Sequence, residues 1–252
     1  MKIILFLLIC FLIFLFPFAL LAQEKNDSID VQVADATTKF TLKQLIIPAS
    51  LITIGALGSG SDLVKDIKEE VASHRSHKVA IDNYIQYLPA VSFYGLSLVG
   101  AKPKHSYADR TLILATSYLS MGILVGGVKY AVGHPRPDKP NQLNSFPSGH
   151  TATAFMGAEL VRREYGDDSP WYGIAAYSVA TGVGVLRVYN ERHWASDVLA
   201  GAGFGILSAE IGYWLLPFNK RLFLCNQTTN SQLAITPYYT GQQGGLSLSY
   251  QF

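Results

Sequence analysis

The chain has 252 residues and a formal net charge of +2, with 49% of its residues apolar and two cysteines. So little net charge makes no case for a nucleic acid or an acidic polymer as partner. The length suits one domain with a substantial core.

Met1-Lys2 followed by an apolar run to Phe16, and then by Phe18 to Ala22, reads as a secretory signal over residues 1–22. The alternative is an uncleaved anchor helix of the same residues. Cys10 lies inside this segment, which leaves Cys225 as the sole thiol after cleavage and no internal disulfide. The first 22 residues sum to roughly +61 on the hydropathy scale and the whole chain to about +55, so the remainder averages near zero. That average fits an exported helical domain, soluble or resting on a membrane face, in the periplasm or cell envelope.

Residues 23–40 are polar, lack a sustained period and read as a linker. Leu42–Leu57 is an apolar helix interrupted by Pro48, and Asp62–Lys78 is a charged surface helix with Leu63, Val64, Ile67 and Val71 at helical intervals. Tyr84–Val99 and Ala108–Tyr130 are further apolar helices. Pro135, Pro137 and Pro140 exclude regular helix from the loop that follows. Helices are then expected over Ser148–Arg163, Trp171–Val188 and Ser196–Leu216, the last with Gly201, Gly203 and Gly205 for close packing. The tail alternates around Gly241 and Gly244-Gly245, which suggests a β-hairpin. The expected fold is all-α, a bundle of about six core helices over residues 41–220, with a short hairpin-like tail over 221–252.

Three short blocks carry the chemistry: Lys129–Pro137 (KYAVGHPRP), Pro147–His150 (PSGH) and Arg187–Asp197 (RVYNERHWASD). A phosphoryl group in transfer spreads negative charge over its oxygens and needs fixed cations and amides around them. Lys129, Arg136 and Arg187 supply three cationic heads, the arginines in a two-pronged fork. PSGH opens a helix, so its unpaired N–H groups face an anion. Ser148 adds a hydroxyl, which either contacts phosphate or caps the helix, and Gly149 admits close approach of the backbone. Asp197, four residues beyond His193, can reach that ring's far nitrogen across one turn and fix its tautomer.

In residue types, order and spacing (K-x6-RP, PSGH, R-x5-H-x3-D), these blocks resemble the type 2 phosphatidic acid phosphatase superfamily, which also holds the class A acid phosphatases and the vanadium haloperoxidases. The resemblance implies that His193 attacks phosphorus, forming a phosphohistidine, and that His150 donates a proton to the leaving oxygen. It further implies phosphomonoesters or lipid (pyro)phosphates as substrates, with lipid A and undecaprenyl pyrophosphate foremost, and a site facing the periplasm. Leu186 departs from the family, where serine often precedes the arginine. No histidine, cysteine and carboxylate spacing suggests a structural metal, and no cofactor is expected. The rival readings are a vanadium-dependent haloperoxidase with vanadate on His193, and a non-catalytic module docking through its tail.

The remaining histidines and aromatics are read more plainly. His134 is taken as a loop residue, and His74, His77 and His105 as solvated. Trp194, Tyr130 and Phe146 are candidates to line an apolar entrance.

Overall fold

The computed structural model describes residues 41–74 and 77–224, and the backbone of two strands at 232–239 and 244–251. The expected signal and linker, both cysteines and the hairpin turn lie outside those residues. In chain order the helices are α1 (Lys43–Gly58), α2 (Asp62–His74), α3 (Asp82–Ile85), α4 (Leu88–Leu98), α5 (Tyr107–Val132), α6 (Gly149–Tyr165), α7 (Pro170–Tyr189), α8 (Ala195–Trp214) and α9 (Leu216–Leu224). Strands β1 (Gln232–Tyr239) and β2 (Gly244–Gln251) pair antiparallel, from Gln232 opposite Gln251 to Tyr239 opposite Gly244.

Local chemistry sets the helix ends that matter. Ser106 caps α5 by accepting from the Asp109 N–H, and Gly133 stops it in the left-handed conformation at φ 59°. The first motif therefore straddles a helix end and a loop. Ser148 caps α6, and Ser169 with Pro170 starts α7. At the start of α8, Asp197 Oδ2 accepts the Trp194 N–H at 2.9 Å.

Three expectations need correction. Pro48 does not interrupt α1, which runs through it as one helix. The segment expected as one helix from Tyr84 to Val99 divides into α3 and α4, because Pro89 sits in the first turn of α4, where its missing N–H costs nothing. The helix ending at Leu216 is followed at once by α9, which runs past residue 220.

Helices α6 and α8 form the centre. α6 packs against α4, α7 and α8, and α8 also packs on α1 and α5. Phe93, Ile113, Met156, Leu160, Tyr165 and Tyr213 are buried in the main core. Small residues let the helices cross closely: a Cβ on Gly201 would lie 2.5 Å from Ser148 O, and one on Gly203 would lie 2.7 Å from Pro48 O. The α8 glycines thus draw the start of α6 against the start of α8. That crossing brings the second and third motifs together.

The outer faces are apolar. Ile46, Ile54 and Leu57 on α1, Val91 and Leu98 on α4, Leu119 and Ile123 on α5, and Ile174 and Val185 on α7 are exposed. Among the described residues, α5 is the one helix long and apolar enough to cross a membrane, and the bent pairs α1–α2 and α8–α9 pass the same test jointly.

Candidate active site

The three motifs meet at one end of the bundle, formed by the C-terminal ends of α5 and α7 and the N-terminal ends of α6 and α8. Lys129 occupies the last turn of α5, where Nζ donates to Asn144 O at 2.7 Å and Ser145 O at 3.3 Å. Arg136 Nε donates to Asn144 Oδ1 at 2.7 Å. Arg187, in the last turn of α7 and 5% exposed, donates from Nη1 to Asp82 Oδ2 at 2.7 Å. Its Nε is buried without a partner, a donor held ready for an acceptor.

His193 is buried, with Nδ1 facing Asp197 Oδ2 at 3.5 Å and Ser145 Oγ at 3.4 Å. Its other nitrogen, Nε2, is therefore the one left for chemistry. Asp197 is fully buried, and Ser145 Oγ donates to its Oδ2 at 2.5 Å. Burial pushes His193 down to about 4, against the opposing pull of Asp197 and with help from the charges of Lys129 and Arg187. The ring is thus neutral near pH 7 and carries a lone pair.

His150, in the first turn of α6, has Nε2 at 3.1 Å from Asn83 Oδ1. Burial, then the charge of Arg187, pushes it down to about 4, while Asp82 pulls the other way and His193 and Arg136 add to the fall. Both histidines therefore lie in the field of Arg187. An arriving dianion would reverse that field and favour the protonated ring.

Ser148 is fully buried, and its hydroxyl accepts from Thr151 Oγ1 at 2.9 Å and from Thr151 N at 3.5 Å. The capping role is thus the one its contacts express. Its N–H donates to Asp197 O at 2.9 Å, which ties the α6 start to α8. Gly149 and His150 follow at the half-buried mouth of α6. Among the described residues, no group of three or more His, Cys, Asp or Glu is placed to hold a metal ion.

All eight predicted site residues occupy this end, but several neighbours escaped the sequence reading. His134 is more than a loop residue: its Nδ1 lies 3.5 Å from Asp197 Oδ1, and its Nε2 is 3.4 Å from Ser59 Oγ. Asp82, Asn83, Asn144 and Ser145 belong to no motif block. The serine before PSGH lies just two positions from it, a hint available in the chain, whereas Asp82 and Asn83 carried no signal.

Three other readings are revised. His105 is not solvated; its Nδ1 lies 2.9 Å from buried Glu164, which also accepts the His105 N–H at 2.6 Å. Phe146 is buried in the core beside Val128 and Phe204, and Tyr130 is 94% exposed on the outer face of α5. Trp194 stays half-buried beside the site, with Nε1 donating to Pro135 O at 2.9 Å and Lys68 over its ring. An open cavity of about 1070 Å³ lies at the far end of α6, beside Lys104, His105, Arg162, Arg163 and Tyr213. Its cations Lys104, Arg162 and Arg163 are each held by a carboxylate (Asp167, Glu159 and Glu210 in turn), so none of them is left for a phosphate.

Residues 110–221 match the model of the PAP2 superfamily. A lipid A 1-phosphatase from Porphyromonas gingivalis is 40% identical over 171 residues, which is 68% of this chain and 37% of that protein. A lipid A 1-phosphatase from Rhizobium etli is 32% identical over 108 residues, 36% of this chain and 44% of that one. The chain spans less than half the length of these relatives. Among solved structures, a transmembrane PAP2 type phosphatidylglycerolphosphate phosphatase from Bacillus subtilis aligns with a TM-score of 0.45 at 22% identity, covering 70% of this chain and 97% of that chain. The matched stretch holds all three motif blocks, so it is over residues 110–221 that the chain is similar to the PAP2 superfamily.

Proposed function

We propose that this protein is a phosphatase of the cell-envelope membrane that hydrolyses phosphorylated lipids through a phosphohistidine on His193. The carrying observation is the buried, neutral His193, held at Nδ1 by Asp197 and Ser145 beneath the cations Lys129 and Arg187. Lys129, Arg136, Arg187, the Ser148 hydroxyl and the Gly149 N–H would receive the phosphate oxygens. His193 Nε2 attacks phosphorus, the ester P–O bond breaks, and the departing oxygen takes a proton from His150. Asp197 steadies the cationic imidazole that results. Water, giving a proton to the now neutral His150, then cleaves the P–N bond and releases inorganic phosphate.

The relatives named lipid A 1-phosphatase favour lipid A as substrate, with undecaprenyl pyrophosphate next. The exposed apolar faces of α1, α4, α5 and α7 support residence at a membrane, and the proposed orientation, with the site facing the periplasm, comes from the family resemblance alone. The test is phosphate release in detergent micelles from lipid A, undecaprenyl pyrophosphate, phosphatidic acid and a soluble ester, with trapping of radiolabelled phosphoenzyme. Release from the lipids, with label lost in His193→Ala, is the expected result. No release from any of the four, or label retained by that variant, overturns the reading.

A further inference from the structure

The short helix α3 lies upstream of residues 110–221 and outside every motif, yet it touches two site residues at once. Asp82 is 1% exposed and pairs with Arg187, and the next residue, Asn83, meets His150 Nε2 at 3.1 Å. The segment does not depend on these contacts for its place. Val79 N donates to Asn190 Oδ1 at 2.8 Å, and Asn190 Nδ2 donates to Val79 O at 2.6 Å. Asn190 is the C-cap of α7, three residues after Arg187. Two bonds between the Val79 backbone and the Asn190 side chain therefore anchor the approach to α3 on the helix whose arginine Asp82 aligns.

We propose that Asp82 and Asn83 are positioning residues that act through different partners, Asp82 aiming the Arg187 guanidinium at phosphate and Asn83 setting the tautomer of His150. The inference rests on the phosphatase reading above. An amide oxygen accepts and cannot donate, so Asn83 Oδ1 holds the hydrogen on Nε2. The transferable proton of the imidazolium is then the one on Nδ1. When Nδ1–H passes its proton to the departing oxygen, the ring is left as the Nε2–H tautomer that Asn83 already binds. The carboxylate of Asp82 engages Nη1, which leaves the buried, unpartnered Nε for a phosphate oxygen.

The two roles separate by leaving group. An alkyl phosphate needs its oxygen protonated, whereas an activated aryl phosphate departs without help. General acids contribute about 10²–10⁴-fold, and losing their alignment forfeits part of that. Asn83→Ala is expected to slow kcat on alkyl phosphate about tenfold or more and on aryl phosphate less than about twofold, with KM little changed. Asn83→Asp, which keeps an acceptor, restores the alkyl rate and moves the basic limb of its pH profile upward. Asp82→Asn slows both substrates alike, because the grip on phosphate is common to them.

Equal slowing of both substrates by Asn83→Ala overturns the role of Asn83, and an Asp82→Asn variant with unchanged kcat/KM overturns that of Asp82. Heteronuclear NMR of His150 reads the tautomer without turnover, so the inference is judged even if no substrate is hydrolysed. Nε2–H in the parent protein, lost or mixed in Asn83→Ala, is expected; Nδ1–H in the parent overturns it.

Discussion

Replacing Asp197 by asparagine separates the charge of this carboxylate from its shape. Oδ2 accepts from Ser145 Oγ at 2.5 Å and from Trp194 N at 2.9 Å, and lies 3.5 Å from His193 Nδ1. With its oxygen at the Oδ2 position the amide still accepts from both the Ser145 hydroxyl and the Trp194 N–H, while its NH₂ takes the Oδ1 position that faces His134. Both bonds then survive as neutral ones. Hydrogen bonds to a charged group contribute about 1.5–3 kcal/mol and neutral ones about 0.5–1.5 kcal/mol, so the folding cost is about 2–3 kcal/mol. The catalytic cost is larger. As His193 takes the phosphoryl group its ring becomes cationic, and the buried charge facing Nδ1 is what stabilises it. The same exchange in a Ser-His-Asp triad, on a different fold, lowers kcat by about 10⁴. The separation here is longer than a hydrogen bond, so a loss of about 10²–10³ is expected for Asp197→Asn. Rapid-quench measurement of phosphoenzyme formation, alongside unfolding in urea, reads the two costs independently. A folded variant that phosphorylates within about threefold of the parent rate would refute the argued role of the charge.

Other outcomes follow from the same geometry. In Gly201→Val, the Cβ alone would lie 2.5 Å from Ser148 O, so α6 and α8 must separate where the site is built. Thermal unfolding should register a loss of about 1–3 kcal/mol, and turnover should fall further than stability. Because His193 is pushed down to about 4, the acid limb of kcat/KM should lie near pH 4 and not near the ordinary histidine value. Folding stability should also fall as pH drops from about 6.5 toward 4, because the unfolded chain takes up the proton first. A pH–rate series with parallel melts checks both. At the far end of the bundle, Glu164 accepts from His105 N, His105 Nδ1 and Tyr213 Oη. Glu164→Leu should cost about 3–5 kcal/mol in stability while the folded fraction keeps its kcat, measured by melts and active-site titration.

What the sequence disclosed depended on whether the information was periodic or spatial. The long helices α5 to α8 were legible because their apolar runs are bounded by Gly133, Ser148, Ser169-Pro170 and the loop at Trp194, which act locally. The division between α3 and α4 was missed because apolar content continues across Gln86 and Tyr87, and only the position of Pro89 signals a new start. Pro48 misled in the opposite direction. Its ring is buried and α8 packs against that turn through Gly203, so tertiary contact holds a helix that local propensity would break.

The site divides along the same line. Lys129, His150, Arg187 and Asp197 sit at helix ends, and His193 two residues before the start of α8, where a fixed number of residues fixes a direction in space. Ser145, His134, Asp82 and Asn83 reach the site from loops or a four-residue helix, where spacing along the chain says nothing about distance. Their placement follows from what the helix ends require. A buried carboxylate such as Asp197 must have its lone pairs met, and the side chains that meet them cannot be far away. Its Oδ2 takes two donors, while Oδ1 lacks a hydrogen-bond partner and faces only His134 at 3.5 Å. If that imidazole carries weight, His134→Leu should lower the rate of phosphoenzyme formation more than His134→Asn, which still offers a donor to Oδ1. Equal rates in the two variants would show that Asp197 serves His193 alone.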